Sequence, residues 1–407
     1  MAIPLVVHKY GGSSVANPEK IKNAAKRIVH AKKQGYNVLA VVSALGDSTD
    51  DLIALAYQVT DDPPERELDM LMSTGELVSA SLLSMAIDAL GFSAVSLTGQ
   101  QVGIYTDNVH TKAKIREISS DRILKSLNDG HIVIVAGFQG VNEMQDITTL
   151  GRGGSDTTAV ALAAVLKAEQ CEIYTDVNGV YTADPRIVAT AQKIDRISYD
   201  EMLELASLGA KVMHARSIEF AKKYGVRIHV RSSFNDQEGT YIVEETKDME
   251  DIAIRGVSVD KQEAKVTISG VPDRPGIAAK IFQLLADSHV NIDMIIQNVS
   301  EDGRSNISFT VSRSELKKTL EILRPHCKEI AARDITSDAT MAKLSVVGIG
   351  MRIHTGVAAI LFDALAKAEI NIEMISTSEI KISCVINEKD ADRAMNVVHD
   401  RFQLGVS

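Results

Sequence analysis

Two stretches of twenty residues constrain this chain more than any other feature. GIAAKIFQLLADSHVNIDMI (276–295) and GVAAILFDALAKAEINIEMI (356–375) align without a gap and agree at half of their positions. Each lies in a segment that reads strand, glycine turn, helix, strand, strand, helix, a βαββαβ unit that buries one face of a small sheet under two helices. The second copy stops at FQLGVS, short of the last strand that residues 329–333 supply in the first. A strand from 252–260 is therefore expected to complete the second module, which interleaves the two copies. The modules are expected at 263–335 and 340–407, after a charged linker, EETKDMEDIAIRG.

The region before the linker, 1–245, has another texture. LVV, NVLAVV, SAVSL and HIVIVA are continuous apolar runs, with helical stretches between them. Such runs predict a mostly parallel sheet with helices on both faces, in which ligands bind at the carboxyl ends of the strands. The first helix carries its own punctuation: Asn17 to cap it, Pro18 in its first turn and Gly35 beyond its end. The fold class is α/β, joined to two smaller α+β modules.

A net charge of −10 and the lack of any basic run with interleaved aromatics exclude a nucleic-acid surface. Cys171, Cys327 and Cys384 have no CxxC spacing, so neither a disulfide framework nor a zinc site is expected. No export leader and no apolar run near 18 residues is apparent, which points to a cytoplasmic chain. P-loop, GxGxxG, HExxH and protein-kinase signatures are missing, and His8, His214 and His354 are isolated and read as structural.

The chemistry concentrates at strand ends rich in glycine. LVVHKYGGSSV ends a strand in Lys9 and then exposes backbone at Gly11 and Gly12, an arrangement that suits an anion. TTLGRGGSDTTAVALAAVL places Arg152, three glycines, Ser155 and Asp156 at the start of a helix apolar nearly all round. For Ser155 or Asp156 alone, an ordinary helix cap explains the residue; the loop as a whole suits a carboxylate or phosphate. CEIYTDVNGVYTADPRIV gathers Thr175, Asp176, Tyr181, Asp184 and Arg186 beyond another strand end. Turn chemistry accounts only for its Asn-Gly and Asp-Pro pairs.

Taken in order, and followed by the tandem repeat, these three motifs resemble the aspartokinases. These are members of the amino acid kinase family with a three-layer αβα catalytic domain and two C-terminal ACT modules of ferredoxin-like form. The resemblance covers the whole chain. It implies transfer of the γ-phosphoryl of ATP, with Mg2+ on the phosphates and no metal ligands from the protein, to the β-carboxylate of L-aspartate. The product, 4-phospho-L-aspartate, opens the route to lysine, threonine and methionine. By resemblance, Lys9 neutralises the transferring phosphoryl group, with Gly11 and Gly12 as backbone donors, and Asp156 orients that lysine. Arg152 grips the substrate α-carboxylate with Ser155 nearby, Glu76 of STGELVS pairs with its α-ammonium, and Ser43 and Thr49 line the pocket. Thr175, Asp176, Tyr181, Asp184, Arg186 and Lys211 fall on the nucleotide site.

In the first module, VPDRPGI sets Asp273 at a strand end and Gly276 before a helix, where a free amino acid finds both a carboxylate and a helix N-terminus. ACT similarity adds Ala278, Asn291, Ile292, Asp293 and Gln297 as effector residues for lysine or threonine. MRIHTGV, in the second module, lacks the Asp and the Pro-Gly pair. There Val357, Asn371, Ile372 and Glu379 are expected to line a shared interface. ACT pairs imply a homodimer or larger assembly, and Met249 at the linker is a candidate internal start for a shorter regulatory chain. Three other readings compete with this one. They are a sister kinase acting on acetylglutamate, glutamate, carbamate or UMP, an inactive amino-acid sensor, and, a poor third, a dinucleotide-dependent dehydrogenase.

Overall fold

A computed structural model describes residues 3–207, 212–250, 252–299 and 303–405. The chain divides into two compact units, one of Met1–Tyr181 with Lys193–Met249 and one of Thr182–Gln192 with Glu250–Ser407.

The first unit is built on an eight-stranded sheet. Its order is Arg196–Ser198, Thr240–Val243, Ile228–Ser232, Gln170–Thr175, Leu5–Tyr10, Asn37–Val42, Ile132–Ala136, Ala94–Leu97. All neighbours run parallel except Ile228–Ser232 with Thr240–Val243. The apolar runs at 38–42 and 132–136 are buried at every residue, as a central parallel strand requires. Helices Pro18–Lys33 and Glu65–Asp88 cover one face, packing on Val6, Tyr10, Val38, Ala40, Ile132 and Ile134. Strand alternation sends Val7 and Lys9 to the other face, beneath helix Gly154–Val165, whose residues 154–163 are all buried. The architecture is the expected three-layer αβα sandwich. Asn17 caps the first helix through Lys20 N–H at 3.0 Å, and Pro18 is its first residue.

A smaller sheet orders Ile115–Ile118, Ile104–Thr106, Gln139–Val141 and Ile147–Thr149. By length and composition helix Glu65–Asp88 is apolar enough to cross a bilayer, since from Met70 to Ile87 only Glu76 is charged. One face of it packs on the sheet, with Leu83 and Ile87 fully buried, while Val78, Leu82 and Met85 are exposed.

The second unit has one six-stranded antiparallel sheet: Ile295–Val299, Arg304–Ser312, Gly256–Pro272, Asp334–Val347, Lys381–Asn387, Met374–Thr377. Its two longest strands pass through both modules. Gly256–Asp260 pairs with Lys343–Val347, while Glu263–Ile268 pairs with Ile307–Ser312 and, at its far side, with Ile335–Asp338. The first module thus borrows the start of the strand that the second module ends. Residues 329–333 are not a strand, contrary to the sequence reading; a turn with Ala331 at φ 53° precedes the strand that begins at Asp334. The repeat is exact in its backbone: Gly276 and Gly356 start their helices at φ 94° and 92°, and His289 and Glu369 leave them at φ 56° and 54°. The segment Thr182–Gln192 joins this unit through Ala183 and Val188, which enter the second module's core, and Thr182 Oγ1, 2.9 Å from His399 Nε2.

Candidate active site

Four parallel strands of the first unit end side by side, and backbone hydrogen bonds link their tips. Gly11 N–H donates to Tyr174 O at 3.2 Å, Ser43 N–H to Tyr10 O at 3.0 Å, and Gly137 N–H to Val42 O at 3.0 Å. Gly12 O accepts from Gly46 N–H at 3.1 Å, and a Cβ on Gly12 would stand 2.7 Å from Gly46 O. Only glycine lets these two loops close on one another. Gly11 is the open one, with Lys9 Nζ 3.5 Å from where its Cβ would lie.

Lys9 Nζ lies 2.7 Å from Asp156 Oδ1. The contact is a close ion pair between two largely buried side chains. Asp156 does not cap its helix, and neither does Ser155. The cap position is Gly153, in the left-handed region at φ 71°, with His214 packed where a side chain would be. Helix capping therefore does not account for either residue, and each keeps only a small exposed area. Ser155 sits against Gly137, whose missing Cβ would be 2.9 Å from Ser155 Oγ. Arg152 is exposed and makes no ion pair among the described residues.

Glu76 enters from helix Glu65–Asp88. It is 3% exposed, Oε1 accepts from Ala44 N–H at 3.2 Å, and Oε2 has no hydrogen-bond partner. Burial pushes its carboxyl up to about 8. Gly75 brings the helix this close, since a Cβ there would be 2.7 Å from Ala44 Cβ. Ser43 and Thr49 flank the Ala44–Gly46 loop, Thr49 in the first turn of helix Ser48–Val59. Lys9, Asp156, Glu76, Ser43 and the two glycine loops thus gather at one end of the sheet.

The nucleotide candidates are more dispersed. Thr175 ends its strand, its hydroxyl 3.0 Å from Asp176 Oδ1, and Tyr181 bridges to Lys193. Asp184 and Arg186 fall in the segment that joins the second unit. They pair with one another, Arg186 Nη2 donating to Asp184 Oδ2 at 2.6 Å, and this holds the Asp184 carboxyl below its usual range. Lys211 lies outside the described residues. His8 is structural, as expected: it faces away from Lys9, 3.2 Å from buried Glu172. Sequence reasoning missed the Ala44–Gly46 loop and Gly137; a small residue directly after each apolar run was the available signal.

In the second unit, Asp273 N–H donates to Gly303 O at 3.0 Å and Gly276 starts the following helix. Ala278 and Ile292 pack on the first module's core, and Val357 and Ile372 belong to the second's. Asn291 is exposed, and Gln297 Nε2 donates to Ser305 Oγ at 3.2 Å. Asp293 is paired with Lys343, which also reaches buried Glu263 Oε1 at 2.7 Å. Asn371 Nδ2 donates to Glu373 Oε1 at 2.9 Å, and Glu379 Oε2 lies 3.5 Å from Arg352 Nε.

A parallel αβα unit with a lysine, a buried carboxylate and paired glycine loops at its strand ends, followed by two βαββαβ modules, has a match among known families. The amino acid kinase family model covers residues 4–232, and ACT domain models cover 266–327 and 344–402. The chain belongs to the amino acid kinase family and carries two ACT domains. Within that family it belongs with the aspartokinases. The aspartokinase of Mycolicibacterium smegmatis is 51% identical over 406 residues, spanning 98% of this chain and 96% of the relative. Two solved structures of Escherichia coli aspartokinase III are each 25% identical and span 98% of this chain and 99% of theirs. One, in complex with aspartate and ADP, superposes with a TM-score of 0.82; the other, with lysine and aspartate, with 0.76.

Proposed function

We propose that the chain transfers the γ-phosphoryl group of ATP to the β-carboxylate of L-aspartate, giving 4-phospho-L-aspartate, in the cytoplasm and as the first step toward lysine, threonine and methionine. The observation that carries this reading is Glu76 Oε2, a buried carboxyl oxygen with no hydrogen-bond partner among the described residues. A substrate α-ammonium supplies what it lacks, and unpaired Arg152 supplies the matching contact for an α-carboxylate. The acceptor is then a free amino acid, and the E. coli complex with aspartate and ADP agrees in kind.

The acceptor carboxylate is already ionised, so the reaction needs no strong base. It needs two anions brought in line and their repulsion offset. Lys9 faces the transferring group from the end of its strand and Asp156 holds the ammonium in place, whereas Gly11 N–H is already given to Tyr174 O and only the open space over Gly11 serves the phosphoryl group. Ser43, Thr49 and Ser155 line the amino acid, while Thr175, Asp176, Tyr181, Asp184, Arg186 and Lys211 serve the nucleotide. The site fits Mg2+ held mainly by substrate phosphates and waters, with the carboxylate of Asp156, paired to Lys9, the acidic side chain beside it. When bound, the ion neutralises developing charge on the phosphates.

Catalysis is assigned to 1–245 and regulation to the modules at 263–335 and 340–407. Lysine or threonine binds at Asp273, Gly276 and Asn291–Asp293 of the first module and inhibits, in an assembly of two or more chains. Asn371 and Glu379 contribute to the shared interface. The test is ATP-dependent acyl-phosphate formation trapped with hydroxylamine, with aspartate, glutamate, acetylglutamate or UMP as acceptor, and aspartate repeated beside lysine, threonine and both. Turnover with aspartate that an end-product amino acid suppresses is expected. Amino-acid binding without turnover of any acceptor would instead make the chain a sensor.

A further inference from the structure

Helix Glu65–Asp88 carries two buried carboxylates, and the reaction proposed above uses only Glu76. Asp69 lies seven residues earlier, so both project from one face, two turns apart. Asp69 is wholly buried, and its oxygens are all engaged. Thr149 Oγ1 donates to Oδ1 at 2.5 Å, Thr111 N–H reaches both oxygens at 3.1 Å, and His110 Nδ1 lies 2.7 Å from Oδ2. A carboxyl group is costly to bury unless its oxygens are hydrogen-bonded, and these partners supply that requirement.

The partners of Asp69 all belong to one structure. Thr149 ends its strand and runs directly into Leu150, Gly151 and Arg152. Thr111 O stands 3.0 Å from where a Cβ on Gly151 would be, so the 110–113 loop backs the Arg152 loop. Ala113 N–H donates to Thr149 O at 2.9 Å. From the opposite side Arg216 closes the grip, its two terminal nitrogens donating to Leu150 O at 2.9 Å and Ala113 O at 2.8 Å.

We propose that Asp69 is a positioning residue for the amino-acid substrate. From the helix that holds Glu76 it fixes the Arg152 loop through Thr149 and Thr111, so that one rigid element sets the separation between the ammonium site and the carboxylate site. The inference rests on the roles given above to Glu76 and Arg152. With both α-groups pinned, Cα has one place, and a β-carboxylate reaches the phosphoryl group where a γ-carboxylate, one methylene longer, overshoots. Loosening the loop weakens aspartate binding and narrows the preference for aspartate over glutamate.

The experiment measures kcat and KM for aspartate, glutamate and ATP in the wild type and in Thr149→Val, Thr149→Ser and Asp69→Asn, with melting temperatures alongside. Thr149→Val is expected to raise KM for aspartate ~10-fold and to lower the aspartate-to-glutamate ratio of kcat/KM, leaving KM for ATP within about twofold. Thr149→Ser, which keeps the hydroxyl, restores both. Asp69→Asn moves in the same direction; if it does not fold, the Thr149 pair decides. A lowered melting temperature with unchanged KM for aspartate and an unchanged ratio would overturn the proposal and make Asp69 structural only. A wild type that turns over aspartate separates that result from failure of the Glu76 and Arg152 reading; a wild type inactive on aspartate overturns both.

Discussion

Lys9 Nζ and Asp156 Oδ1 stand 2.7 Å apart, one at the end of a central strand and the other in the first turn of a buried helix, with side chains 11% and 10% exposed. The pair ties a central strand to a buried helix, which holds the ammonium in place. Its place is set before any ligand arrives, which is what electrostatic stabilisation of a transferring phosphoryl group requires.

Lys9→Ala is therefore expected to lower kcat by at least ~10²–10³-fold, the usual loss for one preorganised donor. KM for aspartate should change little, because Glu76 and Arg152 are untouched. Steady-state kinetics read the split; a loss confined to KM would remove Lys9 from the transfer step.

Glu76 gives a pH dependence with a definite sign. Burial raises its carboxyl to about 8, so below that pH the free protein holds it protonated, and an incoming ammonium must drive the proton off. Aspartate binding near pH 7 is expected to release up to one proton, seen by titration calorimetry in two buffers of different ionisation enthalpy. The release should vanish in Glu76→Gln. The same shift makes the ligand-free fold bind more protons than the unfolded chain between roughly pH 4.5 and 8, so this group's contribution to stability falls as pH rises through that window.

The repeat and the three glycine-rich motifs were legible because their signals are local: an apolar period, a glycine where the backbone turns, a polar residue at a helix start. Distant pairings carry no such signal. The contact of Glu76 with Ala44, the closure of Gly12 on Gly46 and the Asp69 cluster each join segments far apart in sequence. The excursion at 182–192 carries no local signal for the same reason: Ala183 and Val188 bury themselves in a core built from the far end of the chain. Even the turn at 328–331 hid inside a stretch apolar enough to pass for a strand.

Gly153 tests how tightly the arginine loop is built. Its φ of 71° lies in the left-handed region, and a Cβ would fall 2.2 Å from His214 Cβ. Gly153→Ala must move both the loop and the start of helix Ala215–Tyr224. It is expected to raise KM for aspartate at least ~10-fold and to lower the melting temperature, since strain at such a position costs about 1–3 kcal/mol before the clash is counted. Wild-type kinetics in this variant would show that the loop tolerates a different path.

The two modules of the second unit are tied by reciprocal ion pairs: Lys343 reaches Asp293, and Lys265 lies 3.0 Å from Glu373. They are equivalent in placement but not in environment. Lys343 also meets Glu263 at 2.7 Å, and these two side chains are 4% and 7% exposed, against 21% and 37% for Lys265 and Glu373. Burial already pushes the Glu263 carboxyl up, and its Oε2 has no partner, so removing Lys343 strands it. Lys343→Met is expected to cost about 3–5 kcal/mol and Lys265→Met about 0–1 kcal/mol. In calorimetry of the whole chain, the transition of the second unit should drop by roughly 6–20 °C in the first variant and by under about 4 °C in the second. Adding Glu263→Gln to Lys343→Met should recover part of the loss, because a neutral amide is cheaper to bury than a lone carboxylate. Equal, small shifts for both lysines would mean that Glu263 finds water or another donor when Lys343 is gone, and that the seam between the modules is held by its strands alone.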